Sequence, residues 1–144
     1  MSSGGPAGGQ PETLLVFDYG ARRTGVAVGN GMTRTARPLE IIDTPSEAQR
    51  FARIARLIQD WQPQRLVVGV PREPGVEVVE RITVKCERFA RQLAGRFALP
   101  VETVDERYSS RAAASEARRD GVPDGPDDAL AAALILEQWF HDAA

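Results

Sequence analysis

Hydrophobic positions fall into two kinds of block along the chain. Leu14-Leu15-Val16-Phe17 and Gly25-Val26-Ala27-Val28 are short apolar runs on either side of a tight turn at Gly20, a pattern that predicts strands over 13–19 and 24–30 joined as a hairpin. Leu39, Ile41 and Ile42 predict a third strand between Arg37 and Asp43. The next block changes period. Phe51, Ile54, Ala55, Ile58 and Trp61 recur at helical spacing, after Ser46 or Thr44 as a cap and before Pro63 as a stop. Arg50, Arg53, Arg56 and Asp60 are expected on the opposite, solvated face of that helix.

The run Arg65 to Pro71 reads as a strand buried on both faces. A long helix is expected from Glu77 to Phe97, with Ile82, Cys86, Phe89, Leu93 and Phe97 as its core stripe and Glu87, Arg88, Arg91 and Arg96 outward. Residues 100–106 alternate as a strand does. Ser109 or Ser110 caps a further helix from Arg111, a breaker-rich loop follows from Gly121 to Pro126, and a last helix runs from Asp127-Asp128 to Phe140. Strands alternating with helices imply parallel pairing, and the opening meander adds an antiparallel edge. The expected fold class is α/β: a five-stranded mixed sheet, an antiparallel meander of three strands plus two parallel strands, with helices on both faces. Residues 13–144 are expected to form a single domain, and 1–12, rich in Gly, Ser and Pro, a disordered tail.

Composition narrows the chemistry. One cysteine, Cys86, excludes an internal disulfide and fits a reducing cytoplasm. One histidine, His141, makes a His/Cys zinc site a poor expectation, so a metal here would be a hard ion held by carboxylates. No run is long enough to span a bilayer and no secretory pattern opens the chain, so the expectation is a cytoplasmic protein with no membrane partner. The net charge of −2 is not that of a whole-surface nucleic-acid binder. Lys85 is the one lysine, and arginine suits bidentate phosphate contacts better than lysine does. High-GC codon usage explains most of that bias.

Three acids stand out by position. Asp18 ends the first apolar strand, where a carboxylate costs free energy unless a cation, metal or hydrogen bonds offset it. Gly20 and Gly25 leave room beside it for a close ligand. Glu106 lies where the fifth strand ends, and Asp128 in the first turn of the last helix. With the first and fourth strands adjacent, these ends face one crevice, and three converging carboxylates call for a divalent cation, Mg²⁺ or Mn²⁺. Each acid alone has a plainer role. Asp18 can cap the Gly20 turn, Asp105 and Glu106 are both strand-end acids, and Asp127 and Asp128 both suit a helix N-terminus. Asp105 is expected to pair with Arg107 or cap a turn. Arg22 and Arg23 in the turn, and Arg107 beside Glu106, are the candidate phosphate contacts. Tyr19 and Tyr108 can stack on bases, with core packing the favoured reading; Trp61 and Trp139 read as core, and Cys86 as an inert buried thiol.

Four motifs then carry a resemblance. Asp18-Tyr19-Gly20-Ala21-Arg22-Arg23-Thr24-Gly25-Val26-Ala27, Val67-Val68-Gly69-Val70-Pro71, Asp105-Glu106-Arg107-Tyr108-Ser109-Ser110 and Asp128-Ala129-Leu130-Ala131-Ala132 occur in that order. Together they resemble the YqgF/RuvX-type pre-16S rRNA nucleases, which share the RNase H-like fold of Holliday-junction resolvases. The likeness runs from about residue 13 to 140. It implies Asp18, Glu106 and Asp128 as the metal-binding, catalytic acids, and it selects Asp128 over Asp127. It also implies trimming of the 5′ end of precursor 16S rRNA in the bacterial cytoplasm, with precursor rRNA or ribosomal particles as partners. The chain departs from the pattern at Arg72-Glu73-Pro74-Gly75, which has the glycine without the aspartate the family places before it. Three other functions share this sequence: a DNA junction resolvase, which needs a symmetric dimer, a catalytically weak RNA-binding or transcription factor, and an actin-like ATPase fragment, for which the chain is too short. The expected state is a monomer or weak homodimer.

Overall fold

The computed structural model describes residues 12–107 and 132–134. Within them lie strands β1 (Thr13–Asp18), β2 (Arg23–Asn30) and β3 (Thr35–Asp43), helix α1 (Glu47–Trp61), strand β4 (Arg65–Arg72), helix α2 (Glu77–Phe97) and strand β5 (Val101–Arg107). Ala132–Leu134 are helical. The expected tail at 1–11, the helix from Arg111 and the other residues of the last helix lie outside the described residues.

The strands form one sheet in the order β3-β2-β1-β4-β5. The β1–β2 and β2–β3 pairs are antiparallel, and the β1–β4 and β4–β5 pairs are parallel. The mixed α/β sheet read from the sequence is therefore the observed one. A bulge at Val26/Ala27 shifts the β2–β3 register by one residue.

Alternation along the strands divides the interior into two cores. Leu15, Phe17, Val26, Leu66, Val68 and Val70 face α1 and α2, where they meet Phe51, Ile54, Leu57, Phe89 and Leu93. Leu14, Val16, Ala27, Val67 and Val104 take the other face and pack with Ala132 and Ala133. The central strands are thus apolar on both sides, the consequence of helical cover on both faces. Phe89 is the aromatic centre of the first core, with ring centroids 5.8 Å from Phe17, 4.6 Å from Tyr19 and 5.8 Å from Phe51.

Helix α1 starts where Ser46 accepts a hydrogen bond from the Gln49 N–H at 3.2 Å. It ends at Gln62, which takes the left-handed conformation with Pro63 behind it. Its buried residues are Arg50, Phe51, Ile54 and Leu57, while Ala55 is exposed. Two expectations are corrected here. Leu57 replaces Ala55 in the stripe, and Arg50 is buried rather than solvated.

Candidate active site

Asp18 is the last residue of β1 and is half-buried. Its antiparallel partner is Gly25, so the residue directly opposite on β2 brings no side chain to that position. Phe17 pairs with Val68, and Val68 with Thr103, so Asp18 stands level with Val104 two strands away. Glu106 follows Val104 by two residues and pairs with Pro71 near the end of β5. Side-chain positions repeat every second residue along a strand, so the Asp18 and Glu106 positions share one face of the sheet at the same end. That face is the one on which Ala132 and Ala133 pack. In sequence, Asp128 precedes Ala132 by four residues. Asp128 itself, and the side chains of Glu106 and Arg107, lie outside the described residues. Among the described residues no three His, Cys, Asp or Glu side chains are grouped to hold a metal.

The turn after Asp18 is tied down at three consecutive carbonyls. Gly20 O accepts from the Thr24 hydroxyl at 3.2 Å, Ala21 O from Arg50 Nη2 at 2.5 Å, and Arg22 O from the Thr44 N–H at 2.9 Å. Hydrogen bonds to these three carbonyls hold the backbone of the turn in place. Arg50 also donates to Thr44 O at 3.2 Å, so one guanidinium fastens the β1–β2 turn to the β3–α1 turn. It lies 5.3 Å from the Tyr19 ring, which stacks on Phe89. Tyr19 is half-buried and packs against the first core, which agrees with the favoured core reading.

Both candidate phosphate-binding arginines of the turn meet one carboxylate. Arg22 Nε donates to Asp43 Oδ1 at 2.8 Å, and Arg23 Nε lies 3.7 Å from Asp43 Oδ2. Arg23 is buried and sits two residues before Gly25, on the Asp18 side of β2, whereas Arg22 is exposed. The hydrogen bond from Arg22 holds the Asp43 carboxyl below its ordinary range, with some opposition from lost hydration and further help from the charges of Arg22 and Arg23. Asp43 thus partly neutralises both arginines and fixes where their guanidinium groups lie.

Asp105, adjacent to Glu106, has the alternate face. It accepts from Arg72 Nε at 2.7 Å, and Arg72 Nη2 reaches Glu87 of α2 at 2.8 Å. Arg72, from the neighbouring strand, is thus one partner of Asp105, and the expected pairing with Arg107 falls on a side chain outside the described residues. In the loop after β4, Gly75 has φ of 89°, and its N–H donates to Glu80 at 3.1 Å. A depression of about 360 Å³ between Thr13, Asn30, Arg37 and Trp61 lies at the opposite end of the sheet, away from the acids. Arg50, Asp43 and Arg72 are the residues that sequence reasoning did not single out. For Arg50 a signal existed, since it falls four residues before Ile54 on the apolar stripe.

A sheet of this order, with an acid closing its first strand beside a glycine, is that of the RNase H-like nucleases. The solved structure titled "T. thermophilus RuvC in complex with Holliday junction substrate" matches it with a TM-score of 0.57 at 17% identity, over 92% of this chain and 95% of that one. The RuvX family profile, described as Holliday junction resolvase, matches residues 12–142, and the chain belongs to that family. It is 52% identical to a protein of Bordetella petrii named "Putative pre-16S rRNA nuclease" over 90% of this chain and 95% of that protein. A protein of the same name from Paraburkholderia xenovorans is 47% identical, over 93% and 91% of the two chains. Among the described residues no helix is long and apolar enough to cross a membrane.

Proposed function

We propose that the chain is a divalent-metal-dependent endonuclease on structured RNA, and that its reaction is 5′-end processing of precursor 16S rRNA in the cytoplasm. The single observation that carries this is the shared sheet face of Asp18, Glu106 and the Ala132–Ala133 helix. Two inter-strand spacings and two residues of rise put the Asp18 and Glu106 Cα atoms about 12 Å apart. Two side chains, one of them the longer glutamate, bridge such a gap through a cation. The donors fit a hard ion: carboxylate oxygens, with a glycine, Gly25, opposite Asp18 on the neighbouring strand. Asp18, Glu106 and Asp128 would hold Mg²⁺ or Mn²⁺. When bound, the ion polarises the phosphoryl oxygen and lowers the pKa of a water. Asp18 presents its carboxylate from a turn whose carbonyls are fixed, and Asp128 completes the charge or orients the water. Arg22, Arg23 and Arg107 position phosphates of the strand.

The relatives' shared name supports RNA as substrate. The family's description supports a second reading, cleavage of a four-way DNA junction, which requires two sites in a symmetric dimer. One experiment separates these and a third alternative, a binding factor without catalysis. Purified protein is incubated with precursor rRNA and with a DNA junction, in Mg²⁺, Mn²⁺ or EDTA, beside Asp18→Asn, Glu106→Gln and Asp128→Asn. Cleavage of the rRNA by wild type alone, lost in EDTA, is the expected result. Equal cleavage by wild type and variants would mean contamination and end the catalytic reading. Junction cleavage by a dimer, with the rRNA left intact, would replace the substrate.

A further inference from the structure

Helix α2 carries an exposed row of cations that the site above does not use. Lys85, Arg88 and Arg91 lie on its outer face. Among the described side chains, they are the cations with no carboxylate, carbonyl or ring partner. Arg53 is held by Glu40, Arg56 by Asp60, Arg65 by Glu12 and Glu102, and Arg81 by Glu77. Glu87, four residues before Arg91, is the natural helical partner for that arginine, but its carboxylate is turned to Arg72. Glu80 accepts from the Gly75 N–H. From Arg88 to Phe97 the helix contains no acid.

Two ordinary explanations fall short. Cations help a helix dipole within the last turn, and these three residues precede it. Like charges three and four residues apart repel, and Arg81, Lys85 and Arg88 have that spacing. A partner of regular negative charge offsets both the repulsion and the missing ion pairs. The row extends about 16 Å from Lys85 to Arg96. Arg96 closes it with its guanidinium 4.1 Å from the Phe51 ring.

We infer that this face of α2 docks the phosphodiester backbone of structured RNA, as a second contact remote from the cleavage site. The inference rests on the nuclease reading above and extends its substrate contacts. Helix α2 packs on the sheet face opposite that of Asp18, so the ligand must be long enough to pass around the molecule. A folded RNA is, and a mononucleotide is not. Arg72 ties α2 to the ends of β4 and β5, which fixes the distance between the two contacts.

The test is equilibrium binding in EDTA, so that no cleavage intervenes, using the full chain and a 5′-extended RNA duplex at several salt concentrations. The triple variant Lys85→Gln, Arg88→Gln, Arg91→Gln is compared with wild type and with Arg56→Gln, which removes an exposed cation elsewhere. Each lost duplex phosphate contact lowers the slope of log affinity against log salt by about 0.9. The expected result is a slope smaller by about 2–3 and binding at least tenfold weaker in the triple variant, with Arg56→Gln and the melting temperature unchanged. Cleavage of a short substrate confined to the acid face should also stay unchanged. RNA binding by the triple variant with the wild-type slope would overturn the inference and leave the nuclease reading standing. Loss of cleavage with Asp18→Asn but no RNA affinity in wild type would overturn it too. Preference for polyglutamate over RNA at equal charge would assign the face to an acidic protein instead.

Discussion

Arg50 is a cation inside an apolar stripe. Its charge is met by two carbonyls and the face of Tyr19, with no carboxylate among its contacts. Its Nε is buried without a partner. Charge-assisted bonds to carbonyls contribute more than neutral ones, and removing their donor leaves the acceptors buried. Arg50→Met is expected to lower unfolding stability by about 2–4 kcal/mol in urea denaturation. Arg50→Lys keeps the charge yet lacks the planar fork that reaches both turns, and should recover less than half of that loss. Asp43 makes a pH prediction. Its folded pKa is depressed, so its pairing with Arg22 and Arg23 is fully present above the unfolded aspartate value near 4 and fades as pH falls through the lower folded value. Stability measured below about pH 4 should therefore fall more steeply in wild type than in Asp43→Asn.

At the scale of elements, α1 and α2 each close on a left-handed residue that is not glycine: Gln62 at φ 50° and Ala98 at φ 54°. An L-residue there costs roughly 1–2 kcal/mol that glycine does not incur. Ala98→Gly is expected to raise stability by up to about 1 kcal/mol, after glycine's extra chain entropy is subtracted, and thermal melting will show it. The opposite change is expected at the helix–sheet contact. Phe89 touches rings from β1, α1 and the Tyr19 turn, so Phe89→Ala should cost about 3–5 kcal/mol and loosen the turn after Asp18 with it. Hydrogen exchange at Tyr19 to Arg22 will report that loosening. The strand and helix limits were legible in the sequence because apolar periodicity and breakers such as Pro63 act locally. The burial of Arg50 was not, because it depends on where the β1–β2 turn lies relative to α1, a contact across 29 residues.

At the scale of the molecule, the sheet order brings β1, β4 and β5 together in parallel, so their carboxyl ends point one way. The Asp18 and Glu106 positions lie at that end, and on the proposed reading removing divalent ions with EDTA should reduce cleavage at least about a hundredfold, with added Mg²⁺ restoring it. The same measurement should find thermal stability raised by Mg²⁺ in wild type and unmoved in Asp18→Asn, since binding to the folded state alone stabilises it.

The sequence by itself determined the elements among the described residues, the α/β class and the four motifs that led to the three candidate acids, because hydrophobic period, capping and turn chemistry are properties of neighbouring residues. The tertiary structure alone decided what stands beside Asp18 and which strand ends lie together. It set Gly25 opposite Asp18, put Glu106 on the same face two strands away, and turned Asp43 to Arg22 and Arg23 and Asp105 to Arg72. The physical reason is that such pairs join residues distant in sequence, and their register is fixed by burying both faces of one sheet at once.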